Sequence, residues 1–420
     1  MERTGLTAKQ SALFYGMFYG TAYECNKGST EGVNMIYLDN SATTRQADEV
    51  TDVMIRTMQE DFGNPSSLHD LGLNAQNIVT GARRTVARSF GGSPEEVFFT
   101  SGGTEGDNTV LECVAHARKH QGSRIITTKV EHPAVLEACS RLEKEGFDVV
   151  YIGVDSKCRL DMEAFAEALN DDTILVSVMA VNNETGTIMP VRRIAEMSHK
   201  KGALFHTDAV QAYGKIPVDQ TGADFVTISG HKIHGPKGIG AMYVKKGIHI
   251  PPFIVGGGQE RGQRSGTENV PGIAGLGRAW ELASEELQGI QRGGEDRMRT
   301  ARERLLSGIR DSIDDILVNS PEDPAEGTSS VLNVSFLGTR GEVILHTLEE
   351  DGIYVSTGSA CSSNKKGQSH VLGAMGLRPK EIEGALRFSF SRYNTAEEMD
   401  IVLDCLKKAV VRFRRLGSFR

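Results

Sequence analysis

Six cysteines in 420 residues (Cys25, Cys113, Cys139, Cys158, Cys361 and Cys405), none in a C-x-x-C pair, leave no zinc-site spacing and no disulfide framework. Thiols that stay free imply a reducing compartment, with the cytoplasm as the default. Positive charge is also short. Lys and Arg number 47 against 55 Asp and Glu, a net charge of −8. Such a balance gives no electrostatic footprint for nucleic acid. The basic stretch Arg412, Arg414, Arg415 and Arg420 reads as a solvated end. No apolar run approaches the ~20 residues that span a bilayer. Residues 1–34 hold Leu13-Phe14-Tyr15 and Met17-Phe18-Tyr19, but Gly16 and Gly20 interrupt them, which suits a secretory signal poorly. They are expected to form an extension outside the folded unit, and Met35 is a candidate start.

What remains is ordinary for a soluble globular chain: 39% apolar and 24% charged residues. The length suits two domains. From Val97 to Val244 short apolar runs alternate with helical periodicity. The strand candidates are Val97–Thr100, Ile125–Thr128, Val149–Ile152, Thr173–Met179, Ala203–His206, Asp224–Ser229 and Met242–Val244. That alternation predicts an α/β fold with a mostly parallel, seven-stranded sheet covered on both faces. Ligands in such folds bind beyond the carboxyl ends of the strands. A long helical stretch from about Pro271 towards Ile313 breaks at Gly293-Gly294, where a domain boundary is expected. Beyond it the order strand, helix, strand, helix (Val331–Phe336, Glu342–Glu350, Leu386–Phe390, Thr395–Phe413) reads as a smaller α+β domain. The expected division is an extension 1–34, a segment 35–49 associated with the small domain, a large domain 50–290 and a small domain 291–420.

Three strand-end motifs carry chemistry. Thr100-Ser101-Gly102-Gly103-Thr104-Glu105 follows a strand and opens a helix, whose free N–H groups and positive dipole end suit a phosphate. Asp208 stands just past the strand candidate Ala203–His206, where a carboxylate can hold a cationic ring nitrogen. Lys232, in Ser229-Gly230-His231-Lys232, offers an amine that partial desolvation would deprotonate for Schiff-base formation. Each alone is more often a turn glycine, a turn Asp or a surface Lys. Together they are the phosphate cradle, acidic partner and lysine that pyridoxal 5′-phosphate (PLP) requires.

With these motifs the chain resembles the cysteine desulfurases of the class V aminotransferase branch, fold-type I PLP enzymes. Their marks run from about Ile36 to Phe413: Tyr37 to Thr44, Gly63-Asn64-Pro65-Ser66-Ser67, Thr100 to Asn108, Glu131-His132 and Val181 to Gly186. Arg264-Ser265-Gly266-Thr267 and Gly358-Ser359-Ala360-Cys361 complete them. The resemblance implies Lys232 as the cofactor lysine, Asp208 on the pyridine nitrogen and Gln211 on the ring hydroxyl. Gly103, Thr104, Ser229 and His231 would bind the phosphate, with Thr267 from the neighbouring subunit of a homodimer. His132 would stack on the ring and assist proton transfer. Asn183 would contact cofactor and substrate, and Arg387 the substrate carboxylate through its forked donors.

Cys361 lies in a stretch, Ser356 to Gly367, with almost no apolar content, which predicts a mobile, exposed loop. Lys365 and Lys366 would favour its thiolate. The resemblance makes it the nucleophile that takes sulfur from L-cysteine as a persulfide, leaving L-alanine. It implies no metal in the cofactor site; a transferred iron–sulfur cluster would be the route by which Cys361 met one. The loop lacks the Leu-Glu-Pro of many iron–sulfur relatives, and the chain stops at Arg420 without their longer tail. The sulfur acceptor therefore stays open between an iron–sulfur scaffold and a tRNA-thiolation enzyme, although the Gly-Ser-Ala-Cys and Arg-Ser-Gly-Thr forms resemble the first desulfurase group. A selenocysteine lyase or another class V aminotransferase is the alternative within enzymes, and a silent sulfur-relay partner the alternative outside them.

Overall fold

The computed structural model describes residues 35–357 and 368–415. The extension 1–34, the stretch 358–367 with Cys361, Lys365 and Lys366, and residues 416–420 lie outside the described residues.

The chain begins with β1 (Ile36–Tyr37), α1 (Asp48–Gln59), α2 (Asp70–Ser89), β2 (Val97–Thr100) and α3 (Gly103–Arg118). It continues through β3 (Arg124–Thr128), α4 (Pro133–Lys144), β4 (Asp148–Ile152), α5 (Met162–Ala168) and β5 (Thr173–Ser177). Then come α6 (Val191–Lys200), β6 (Leu204–Asp208), β7 (Phe225–Ser229) and β8 (Gly240–Val244). Strands β2 to β8 form one seven-stranded sheet in the order β2-β8-β7-β6-β5-β3-β4, so every strand expected from the apolar runs is present.

Pairing is parallel from β7 across to β4. Strand β8 runs antiparallel to both its neighbours, β7 and β2. Residues 230–239 are too few for a parallel crossover, which needs a dozen or more, so the chain must reverse there. Two reversals cancel, and β2 ends on the same edge as β3, β5, β6 and β7. At the start of β8, a Cβ on Gly240 would fall 2.8 Å from the Cα of Gly102 and 2.4 Å from the carbonyl oxygen of Ile228. Only glycine permits that approach.

Strands β5, β6 and β7 are buried along their whole length. Alternate residues feed two cores, as the two-residue period of a strand requires. Ile126, Val176, Phe205 and Val226 belong to one, and Ile125, Leu175, Leu204 and Phe225 to the other.

Helices α7 (Val270–Gln291) and α8 (Arg297–Ser312) flank Gly293-Gly294. After them come β9 (Ile316–Val318), β10 (Val331–Phe336), α9 (Gly341–Glu350), β11 (Ile353–Tyr354) and α10 (His370–Ala374). The chain closes with α11 (Pro379–Glu383), β12 (Ala385–Ser389) and α12 (Ala396–Arg415). Strands β12, β10 and β9 make an antiparallel sheet. Its core, with Leu332, Val334, Phe388, Leu305, Ile309, Met399 and Leu406, also takes Ile36 and Leu38, and β1 pairs with β11. Helix α12 opens on the capping box seen in the sequence: Glu398 N donates to Thr395 Oγ1 (3.3 Å) and Thr395 N to Glu398 Oε2 (3.1 Å). No helix among the described residues is long and apolar enough to cross a membrane.

Candidate active site

The carboxyl edge of the large sheet holds a cleft of about 750 Å³, mouth included, within the range of small-molecule sites. Gly103, Thr104, His132, Asn183, Asp208, Gln211, Ser229, His231 and Lys232 all line it, with Ser41, Ala42 and Asp107. Nine of the residues singled out in the sequence, scattered over 130 positions, are thus brought to one place because each follows or ends a strand of the same sheet.

One end of the cleft is built for an anion. Gly102 caps α3 at φ 156° and ψ −174°, a conformation essentially reserved for glycine. It turns the chain so that the first N–H groups of α3 face the opening that Ser229 and His231 also line. Glu105 sits beside them. Its burial is outweighed by hydrogen bonds from Arg264 and Ser101, which hold its carboxyl below the usual range. Arg264 Nε meets Glu105 Oε1 at 3.0 Å. Thr267, three residues along, lines neither this opening nor the cleft.

The opposite end is acidic. Asp208 is buried and accepts from Val210 N at 2.9 Å. Its carboxyl is raised, first by burial, with His132 and Lys232 pulling the other way. Beside it Asp107, on the sheet-facing side of α3, is 1% exposed, and its Oδ1 has no hydrogen-bond partner. Burial, then the charge of Asp208, raise Asp107 well above the carboxylate range. His206 lies 3.5 Å away but offers no charge. Burial pushes it down to about 3, and its ring nitrogens are engaged by Ser177 Oγ (2.8 Å) and Thr227 Oγ1 (3.0 Å).

Between the two ends, Lys232 Nζ donates to the Ser41 and Ala42 carbonyls at 2.5 and 2.8 Å. Gln211 Nε2 donates to the same Ser41 oxygen at 2.9 Å. His132 caps α4, with Nδ1 accepting from Ala134 N at 3.2 Å, which leaves Nε2 as the protonated nitrogen. Burial lowers its pKa. Arg387, 1% exposed on β12, stands behind the cleft wall. Its Nη atoms donate to the Asn183 carbonyl (3.1 Å) and to Asp39 Oδ1 (2.9 Å), and its Nε has no partner.

This donor set fits PLP. A helix N-terminus with a hydroxyl and an imidazole suits the phosphate, and an amine stands at mid-cleft. Two buried carboxyls whose only imidazole neighbour within 4 Å among the described residues is neutral favour a cationic ring nitrogen. The aminotransferase class-V family matches residues 36–402.

The chain belongs to the class-V aminotransferase family.

Within it, the relatives point to one branch. The cysteine desulfurase IscS of Methanosarcina thermophila is 43% identical over 93% of this chain and 95% of its own. A solved NifS-like protein superposes with a TM-score of 0.83 at 41% identity, covering 90% of this chain and all of that one. A structure titled SspA in complex with cysteine matches with a TM-score of 0.74 at 33% identity, over 86% of this chain and all of that one. This family member is a PLP-dependent enzyme of the cysteine desulfurase type with the fold-type I architecture.

Sequence reasoning passed over one buried and one half-buried group. Asp107 is a charged residue on the apolar face of α3, in helical step with Val110 and Val114; that break in periodicity was the available signal. Lys215, in the turn after Gln211, carried none.

Proposed function

We propose that this chain removes sulfur from L-cysteine and carries it as a persulfide on Cys361, releasing L-alanine. The observation that carries the proposal is the convergence of Lys232, Asp208 and the start of α3 on one cleft. Gly103, Thr104, Ser229 and His231 would hold the cofactor phosphate, completed by Thr267 of a second copy in a homodimer. Asp208 would pair with the ring nitrogen, Gln211 with the ring hydroxyl, and His132 would lie against the ring. Bound there, PLP supplies an electron sink for charge that develops at the substrate Cα.

The chain's own groups do the rest. Asn183 would orient the substrate carboxylate, with Arg387 behind it holding the Asn183 carbonyl at 3.1 Å. The Lys232 amine would remove the Cα proton, held in reach by its two carbonyl contacts. His132, neutral with its proton on Nε2, moves protons on the ring face. The Cys361 thiolate attacks the substrate sulfur. An S–S bond forms as the C–S bond breaks, the electron pair stays with the carbon skeleton, and its protonation gives alanine.

Cys361 takes this role partly by default. Among the described cysteines, burial raises Cys113 to about 11 and Cys158 to about 12, and raises Cys139 and Cys405 as well. Thiols so held are poor nucleophiles. All four are unpaired, which supports a reducing compartment, the cytoplasm. The division into a large PLP domain (50–290) and a small domain (291–420) that carries the nucleophile is part of the same proposal, and so is delivery of sulfur to an iron–sulfur scaffold or a tRNA-thiolation enzyme.

Incubation with L-cysteine and an external thiol tests it. Wild type is expected to yield sulfide and alanine in equal amounts. Cys361→Ser should abolish sulfide release yet keep the cofactor band near ~400 nm. Sulfide release at the wild-type rate from that variant overturns the proposal.

A further inference from the structure

A second, narrower cleft lies behind Lys232, and Lys215 lines it together with Lys232. The other titratable or charged groups around it are His234, Glu286 and Arg392. Glu286 is committed, its Oε2 lying 3.2 Å from Arg392 Nη1. His234 is neutral, pushed down to about 4 chiefly by burial, with Nδ1 at 2.9 Å from the Arg45 carbonyl. From β12, Arg387 adds a further positive charge. Facing Lys232 on the cofactor side are Asp208, Asp107, His132 and His231. Of these, Asp208 is assigned to the ring nitrogen, and His231 is pushed down to about 4, mainly by burial.

The two amines therefore share a cleft whose one carboxylate is already ion-paired. They are also joined through bonds. Lys215 Nζ donates to Gln211 Oε1 at 3.0 Å. Gln211 Nε2 donates to the Ser41 carbonyl at 2.9 Å, and that oxygen accepts Lys232 Nζ. Burial, then the charges of Lys232 and Arg387, bring Lys215 down to about 7. Two ammonium groups so placed repel each other, and one charge disfavours the other.

On the PLP assignment above, we propose that Lys215 is a positioning residue for Lys232. It fixes the Gln211 amide with its carbonyl inward and its NH2 toward Ser41, and because two ammonium groups so close disfavour each other it opposes protonation at the Lys232 nitrogen. A lone buried lysine would gain the second of these properties from burial alone. Here the neighbour supplies part of it, and the Gln211 bridge sets the geometry at the same time.

The test uses holoenzyme of Lys215→Met, Lys215→Gln and Lys215→Arg, and follows the cofactor's visible absorbance against pH. Loss of the neighbouring charge should move the transition of the Met and Gln variants upward by about one pH unit, while the Arg variant stays near wild type. A Met or Gln variant that titrates where wild type does overturns the proposal, and if the Met variant fails to fold the Gln variant decides it. Wild-type protein without a visible band that PLP can restore would instead overturn the cofactor assignment, a separate outcome.

Discussion

Asp107 and Asp208 share one buried corner but should respond differently to the same change. Asp107 is raised well above the carboxylate range by burial and by Asp208, so Asn replaces a carboxyl already biased towards its neutral form. Asp107→Asn is expected to retain PLP within about threefold of wild type, whereas Asp208→Asn removes the partner proposed for the ring nitrogen and should weaken retention by at least about tenfold. Absorbance after gel filtration measures both. Glu184 offers a pH test. It is buried, accepts from Ser369 Oγ at 2.5 Å, and is raised from 4.5 to about 7, mainly by burial. A raised folded-state pKa means the folded chain binds that proton more tightly than the unfolded chain. The resulting stability is full below about 4.5 and is lost as pH climbs through 7. Glu184→Gln should therefore flatten part of the decline in Tm between pH 5 and 7. At this scale the strand-end residues were legible because their motifs sit where apolar runs stop. Asp208 and Lys232 needed only the strand boundaries to be placed. Lys215 was not legible, since its partner is an amide brought round by a turn and a cleft wall assembled from α7 and the segment after β12.

Among elements, the capping box of α12 was readable as four letters and is present as two bonds. Thr395→Ala should cost about 1 kcal/mol in denaturant unfolding and leave the cleft untouched. Strands with long apolar runs were placed within two residues of their observed ends. The pairs β1 with β11 and the short β9 were not seen, because two or three residues carry no detectable period. The direction of β8 also escaped the pattern of apolar residues, although the length of the preceding connection contained it.

For the whole molecule, a smaller α+β unit was expected after Gly293-Gly294, and the residues there build a three-stranded antiparallel sheet with a core of its own. Self-association was not readable from periodicity. Phe62, Leu68 and Leu73 are exposed on and before α2, and apolar side chains mark an interaction surface where they form one patch. On the homodimer proposal, Phe62→Asp combined with Leu68→Asp should give a monomer by sedimentation. Because Thr267 would then be missing from each phosphate site, PLP retention should fall as well.

Gly240 gives the large sheet a spacer of fixed width. The end of the cleft proposed for the phosphate is made by the exits of β2 and β7, and those two exits are neighbours only across the first residue of the reversed strand. A side chain of even one carbon there would wedge the Gly102 turn away from Ser229, so the gauge of the anion seat is set by a residue that never touches the anion. Gly240→Ala is the smallest lever on that gap, and its effect should appear in phosphate affinity before it appears in the reacting groups.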